Sequence, residues 1–369
     1  MTHAKLSASG SSRWLNCPGS IKAEESYKNT TNSAAAEGTL AHELAEKCLI
    51  TGSNAEDYLG DSGVSQEMVD NIQGYVDYVE SFDCDDRYIE QRVDFSDVVP
   101  NGYGTADAII VKGDLIRVID LKYGQGVTVD AHENMQGFLY CVGAVQEFGF
   151  LADFNTFIVD IYQPRKGNFQ TWEFDREYLD EKTKWIAKQA KLALTDDAPR
   201  IPSNKACQWC KAKADCPALF KHTQETMMIE FEELDADVPL PIKDTLTASQ
   251  VSSVVKNKPL IESWLKAVSE KAKDSLLSGQ HIEGLKIVEG RGRTNWKDEN
   301  VIIDKLKAMG IDPFEQKLLS PNKIKQAIKK DFKQLQDQLV KSSGAPTLVS
   351  SCDKRPSLDF SDDFSDINC

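Results

Sequence analysis

A chain of 369 residues, 41% hydrophobic and 27% charged, has room for two domains and a sizeable core, and that composition excludes wholesale disorder. Its 43 Lys and Arg against 58 Asp and Glu give a net charge of −15, which argues against a nucleic-acid binder that works by total charge. No apolar run approaches the roughly 20 residues that cross a bilayer, and the opening MTHAKLSASGSSRW lacks the apolar core of a signal peptide. A cytoplasmic protein with no membrane partner is expected.

The charge is uneven. Residues 181–221 hold nine Lys or Arg against four Asp or Glu, while residues 357–369 hold four Asp and no base. Local patches therefore matter more than the sum. Nine cysteines is an odd count, and in a reducing compartment clustered cysteines point to metal rather than to disulfides.

Residues 7–20, SASGSSRWLNCPGS, run through a short turn at Arg13, Trp14 and Leu15 into Cys17, where the following Pro18 and Gly19 impose a tight bend. Residues 34–50 have helical propensity, with Leu40, Leu44 and Cys48 forming an apolar stripe and His42 and Glu46 sharing another face. The case for His42 rests on whether this helix packs over the acids that follow. Residues 67–82 read as a second amphipathic helix, and residues 87–95 as a strand that carries Glu90.

Residues 104–122, GTADAIIVKGDLIRVIDLK, are two β-prone runs around a Gly113-Asp114 turn. With those two residues at the turn, paired positions sum to 227, and Asp107 lies across from Asp120. Alternation puts both on one face with Ile109, Val111, Ile116, Val118 and Lys122. Opposed carboxylates repel unless a cation lies between them, so the charged end of this aliphatic face has the character of a divalent-metal site with a lysine beside it. Asp-x-Lys on a strand is common as a solvated face; the register is what raises it here, and a turn one residue longer would undo it.

Gly124 and Gly126 then let the chain bend near this end. Residues 134–148 are helical, with Gln136 and Tyr140 side by side, an amide and a phenol able to grip a phosphate or a base, or an ordinary amphipathic face. Residues 156–163 read as a buried strand, residues 168–174 as its partner, and residues 181–194 as a basic helix.

Cys207, Cys210 and Cys216 follow with ligand spacing, C-x2-C-x5-C, but with no second close pair. Cys17 is the best fourth, because it too sits in a Pro-containing turn. Zinc and a 4Fe-4S cluster both accept four thiolates, and ligand identity does not choose between them.

Residues 228–241 read as an acidic linker and residues 247–277 as helix interrupted at Pro259. Arg291, Arg293 and Trp296, in GLKIVEGRGRTNW, suit phosphate and base contact or form a solvated loop. A helix with Lys on one face starts at Ser320, and the acidic end is disordered in character. The reading divides the chain into a domain at 1–222, an accessory region at 223–350 able to bind DNA or a partner, and a tail at 351–369.

Taken in order, His42 in GTLAHELAE, Asp107 in GTADAII, Asp120 and Lys122 in IDLKYG, Gln136 and Tyr140 in QGFLY, and Cys17 with Cys207, Cys210 and Cys216 resemble the RecB-like branch of the PD-(D/E)XK nucleases. The likeness is to its iron-sulfur members related to AddB and the CRISPR-adaptation exonucleases, and it covers residues 7–220. The whole chain is similar to a phage-encoded family with that core and an extra C-terminal region. The resemblance implies an α/β restriction-endonuclease-like core, a central mixed sheet flanked by helices, a four-cysteine clasp and a mainly helical C-terminal region.

It further implies Mg²⁺ or Mn²⁺ on His42, Asp107, Asp120 and the Leu121 carbonyl, Lys122 activating water, Glu90 as a helper, Gln136 and Tyr140 on the substrate strand, and a 4Fe-4S cluster, with structural Zn²⁺ as the alternative. The expected activity is a DNA exonuclease in phage replication or recombination, acting on linear or single-stranded ends beside a single-strand-binding protein or helicase in the host cytoplasm. A non-cleaving DNA- or partner-binding module and a structure-specific endonuclease are the alternatives.

Overall fold

The computed structural model describes residues 4–27, 33–227 and 248–288, and the single position 303. The chain divides into two units, Met1–His281 and Ile282–Cys369, and the described elements all belong to the first. In order they are α1 (Ser11–Asn16), α2 (Ser20–Glu24), α3 (Ser33–Thr51), α4 (Gln66–Glu80), β1 (Asp86–Asp94), β2 (Tyr103–Lys112), β3 (Leu115–Leu121), α5 (Met135–Phe148), β4 (Thr156–Gln163), β5 (Asn168–Asp175), α6 (Arg176–Ala193), α7 (Asn204–Cys207), α8 (Pro217–Met227) and α9 (Ala248–Leu277).

The five strands form one mixed sheet in the order β1-β2-β3-β4-β5. β1, β2 and β3 run antiparallel in turn, β3 and β4 are parallel with α5 as the crossover, and β5 returns antiparallel on β4. Gly113 supplies the left-handed φ of +57° that the β2–β3 turn demands. Val111 pairs with Ile116 and Ala108 with Ile119, the 227 register.

Alternation on the strands sorts the core into two layers. Ile109, Val111, Ile116 and Val118 pack with α1, α5 and α6, including Trp14, Phe138 and Ile186. Ala108, Ile110, Ile119 and Leu121 pack with α3 and α4, including Leu44, Cys48, Ile72 and Tyr75. Burying each such aliphatic or aromatic side chain contributes about 1.5–3 kcal/mol, so both helical layers are held firmly against the sheet.

Among the polar groups inside, Asp160 of β4 accepts hydrogen bonds from Arg117 on β3 at 2.5 Å, Thr171 on β5 at 2.7 Å and Tyr78 on α4 at 3.1 Å. Arg117 also lies over the Phe82 ring, 4.1 Å from its centroid. A buried ion pair so fully hydrogen-bonded ties the parallel pair to α4 and keeps β3 in place.

Three sequence expectations change. Pro259 does not interrupt its helix, because α9 runs through it as one 30-residue element, with Leu260 and Ile261 buried on the far side of the break. Burial of that face outweighs the backbone hydrogen bond Pro removes. Gly124 and Gly126 face open space without a left-handed φ. The turn at Arg13 is a full helical element, α1, with the Trp14 indole N–H donating to the Ser7 carbonyl at 3.0 Å. The linker at 228–241, Arg291, Arg293, Trp296, the helix from Ser320 and the acidic tail lie outside the described residues. Among the described residues no helix is long and apolar enough to cross a membrane.

Candidate metal centre and four-cysteine clasp

The β2–β3 ladder closes its last pair at Ala108–Ile119, one step before the two aspartates. Beyond it the Asp107 side chain substitutes for the missing backbone acceptor: its Oδ2 takes the hydrogen bond of the Leu121 N–H at 2.6 Å. Across the other side of β2, Ile89 pairs with Ala108 and Gln91 with Ala106, so Glu90 stands opposite Asp107. Glu90, Asp107 and Asp120 therefore form one row across three adjacent strands. Three acids in such a row repel one another in the absence of cations.

α3 brings His42 to this row. Its Nδ1 lies 3.2 Å from Asp107 Oδ1 and 3.9 Å from Glu90 Oε1. The ligand atoms of His42, Glu90 and Asp107 all fall within 4.8 Å of one another. On the far side of Asp107, Asp120 is only 3% exposed, and its Oδ2 has no aligned hydrogen bond although the Lys122 ammonium lies 2.8 Å away. A carboxylate buried this deeply beside other acids is costly in the protein alone and suits a cation.

Lys122 continues the site outward. Its Nζ donates to Gln136 Oε1 at 3.0 Å, and Gln136 Nε2 donates to the Tyr140 hydroxyl at 3.2 Å. Both partners stand on α5, whose close approach depends on Gly137: a Cβ there would meet Val159 Cγ1 at 2.4 Å. Gly104 plays the same part under the Tyr140 ring, where a Cβ would come to 2.7 Å. The Lys122 backbone N–H donates to the Tyr162 carbonyl at 2.8 Å, extending the β3–β4 pairing to the lysine itself.

The charges respond to this crowding. Burial and the neighbouring Asp107 push the Glu90 carboxyl up to about 7, with Glu46, one turn after His42, adding to the effect. Burial raises Asp120, and Asp107 adds to it against the pull of Lys122. For His42 burial works downward, but the hydrogen bond and charge of Asp107 prevail and its pKa is raised. Lys122 is likewise opposed by burial and raised by Asp120 and Asp107.

The second cluster closes the two ends of the domain. Cys17, Cys207, Cys210 and Cys216 line one pocket together with Arg200, Ile201 and Leu219. The Ile201 backbone N–H donates to Cys17 Sγ at 3.2 Å, a contact that favours a thiolate. Burial pushes the thiols of Cys17, Cys207 and Cys210 up, Cys210 to about 12, so thiolates here require a cation among them. α9 covers the cluster: Leu260 and Trp264 pack on its apolar side, and Lys213 donates to Ser263 at 3.0 Å. This packing carries the compact unit past position 222, where the sequence reading draws its boundary.

His42, Asp107, Asp120, Lys122, Gln136 and Tyr140 thus converge, and so do the four cysteines. Sequence reasoning names Glu90 without its place in the row, which follows only from the 197 register of β1 on β2. It misses Tyr75, whose buried hydroxyl donates to the Ile119 carbonyl at 3.4 Å and is held well above its usual range by burial and then by Asp107, Asp120 and Glu90. In the sequence Tyr75 is one apolar position of α4 among several.

The fold and site define a mixed α/β protein with a candidate divalent-metal centre at one end of its sheet. The chain belongs to the family described as "Protein of unknown function (DUF2800)", which matches residues 3–356. Among solved structures it is similar to the "Crystal structure of SSO0001", at 16% identity over 59% of this chain and 89% of that chain, with a TM-score of 0.29. A likeness that low carries no argument about function.

Proposed function

We propose that this chain is a metal-dependent DNA nuclease with a PD-(D/E)XK core, acting on linear ends. The observation that carries the reading is the buried Asp120 carboxylate, set in a row with Asp107 and Glu90 and flanked by Lys122, with His42 brought to the same row. His42, Asp107, Asp120 and the Leu121 carbonyl are the residues that would hold Mg²⁺ or Mn²⁺, an all-hard donor set save for one imidazole. A divalent cation there supplies Lewis acidity to a phosphodiester and lowers the pKa of an attacking water.

The protein's own residues do the rest. Lys122, protonated and fixed by Gln136, neutralises charge that develops on the scissile phosphate and orients the nucleophile. Gln136 and Tyr140 hold the adjoining strand through amide and hydroxyl contacts, and Gly104 and Gly137 let them approach. Binding leans on this local site and on the bases of residues 181–221 against a net charge of −15, so affinity for DNA falls steeply with salt.

The four cysteines fit a thiolate-bound metal group that clamps the N-terminal segment to α7. Four thiolates accept either structural zinc or a 4Fe-4S cluster, and the likeness to the iron-sulfur nucleases favours the cluster. A brown protein absorbing broadly near the visible blue is expected, and a colourless zinc protein would overturn that assignment.

The test is incubation of the full chain with end-labelled linear and closed circular DNA in Mn²⁺. Degradation of linear DNA alone supports the reading, cutting of circles indicates an endonuclease, and inertness toward both indicates a binding module. Asp120→Ala and Lys122→Ala each abolish hydrolysis on this account while leaving the far-UV circular dichroism unchanged.

A further inference from the structure

Between Lys122 and α5 the chain crosses an exposed segment whose carbonyls are all taken. Gln163, 2% exposed at the end of β4, donates through Nε2 to the Gly124 carbonyl at 3.0 Å and to the Val127 carbonyl at 2.9 Å. Lys166 Nζ donates to the Gln125 carbonyl at 3.2 Å and to the Gly126 carbonyl at 3.1 Å. The segment is then pinned at Val129, whose N–H donates to Gln163 Oε1 at 3.2 Å and whose carbonyl accepts from Asn168 at 2.8 Å.

Four consecutive peptide units therefore turn their oxygens inward, toward the β4–β5 connection. In a trans peptide the N–H points opposite to the C=O of the same unit, so the N–H groups of Gln125, Gly126, Val127 and Thr128 turn outward. All four residues are exposed, and among the described residues none of these N–H groups meets a protein acceptor. An ordinary surface loop leaves donors and acceptors alike to water; this one is sorted by polarity. Consecutive outward N–H groups present the positive ends of their dipoles, which is how backbone alone binds an anion.

Two further observations agree. Lys166 backs the segment with an ammonium that has no carboxylate partner among the described residues, whereas the adjacent Arg165 is neutralised by Glu37 and Glu67, each at 3.0 Å. Gly124 and Gly126 have neither a left-handed φ nor a neighbour that a Cβ would meet. Neither backbone conformation nor internal packing asks for glycine at these positions; the close approach of an external group does.

We propose that residues 124–128 seat a backbone phosphate of the bound nucleic-acid strand, beside the phosphate that lies at Lys122. This rests on the nuclease reading above and deepens it: the segment leaves Lys122 directly and leads to the helix of Gln136, so a strand held at both passes over it. Backbone donors recognise phosphate and not base, so the seat grips a strand of any sequence.

The experiment measures anisotropy of a fluorescein-labelled DNA oligonucleotide of mixed sequence in Ca²⁺, with thermal melts and hydrolysis in Mn²⁺ alongside, on the full-length protein and its variants. Gly126→Ala and Gly124→Ala are expected to melt no lower than wild type, because nothing in the protein resists a Cβ there. Each is expected to bind DNA about tenfold more weakly, the scale of a lost hydrogen bond to a charged group, with KM raised and kcat unchanged. Lys166→Met is expected to flatten the dependence of log Kobs on log salt by about 0.7–0.9. Glycine variants that bind DNA as wild type does, beside a wild type that hydrolyses it, overturn the seat and leave the nuclease reading standing. Variants that melt lower and lose kcat with DNA affinity intact show a purely structural segment and overturn it as well. A wild type that binds no DNA overturns both.

Discussion

Asp120→Asn separates a ligand from a structural acid, because the two roles predict opposite changes in stability. Asp120 is buried, and the row sets it opposite Asp107, with Cβ atoms about 5 Å apart in such a pair. At an effective dielectric near 20, two unit charges at that distance repel by about 3 kcal/mol. Lys122, 2.8 Å from Oδ2, more than offsets this, but burial outweighs both and raises the carboxyl, so removing the Asp120 charge should stabilise the metal-free protein by about 1–2 kcal/mol. Wild type should recover more than that from Mn²⁺: at a hundredfold excess over Kd the gain is about 2.7 kcal/mol, and roughly 5 °C in Tm for a unit of this size. Thermal melts with and without Mn²⁺ measure both. Asp120→Asn should melt a few degrees higher than wild type without metal and respond little to Mn²⁺. A variant that melts lower yet keeps the full Mn²⁺ shift would show Asp120 to be a buried acid held by Lys122, and the metal centre would lose its anchor.

Cys17→Ser should remove a clasp that closes a loop of roughly 190 residues; the chain-entropy relation values such a closure at about 5 kcal/mol, and denaturant unfolding that changes by less than about 1 kcal/mol would contradict it. The metal-free protein should lose stability as pH rises. Glu90, pushed to about 7, binds a proton in the folded state that it has released in the unfolded chain, and His42, raised as well, loses its contribution as pH passes its folded value. Tm without metal should therefore fall from about pH 4 toward neutrality, and the Mn²⁺ shift should be larger at pH 8 than at pH 6; a pH-independent shift would show that neither group faces the bound metal. Gly137→Ala should cost about 1–3 kcal/mol and reduce turnover more than Mn²⁺ binding, since its Cβ would drive α5, with Gln136 and Tyr140, away from Val159; a melt and a turnover rate unchanged from wild type would refute that contact.

Local rules made the hairpin legible. A Gly-Asp turn between alternating aliphatic runs sets a register by counting, and that register places Asp107 against Asp120 without reference to the rest of the chain. The helices carrying His42, Gln136 and Tyr140 were legible for the same reason, since spacings of three and four determine which side chains share a face. The convergence of Cys17 with Cys207 was legible only as chemistry, through the need of three thiols for a fourth. What stayed hidden depends on contacts between elements. The β1–β2 register, and with it the position of Glu90, has no tight turn to count from, because residues 95–102 intervene. Tyr75 is one of several apolar positions on α4 until the sheet beneath it is in place. Pro259 reads as a helix break on propensity, and the burial of Leu260 against the cysteine cluster decides otherwise.

The most direct measurement of the central claim is the rate at which linear DNA is converted to acid-soluble product in saturating Mn²⁺, for wild type and for Lys122→Met with Mn²⁺ occupancy matched by titration. Sustained hydrolysis by wild type is expected, with a fall of about 10²–10³-fold in the variant, the scale on which loss of an electrostatic stabiliser is felt. Equal rates, or no hydrolysis by a wild-type protein shown to hold the metal, would contradict it.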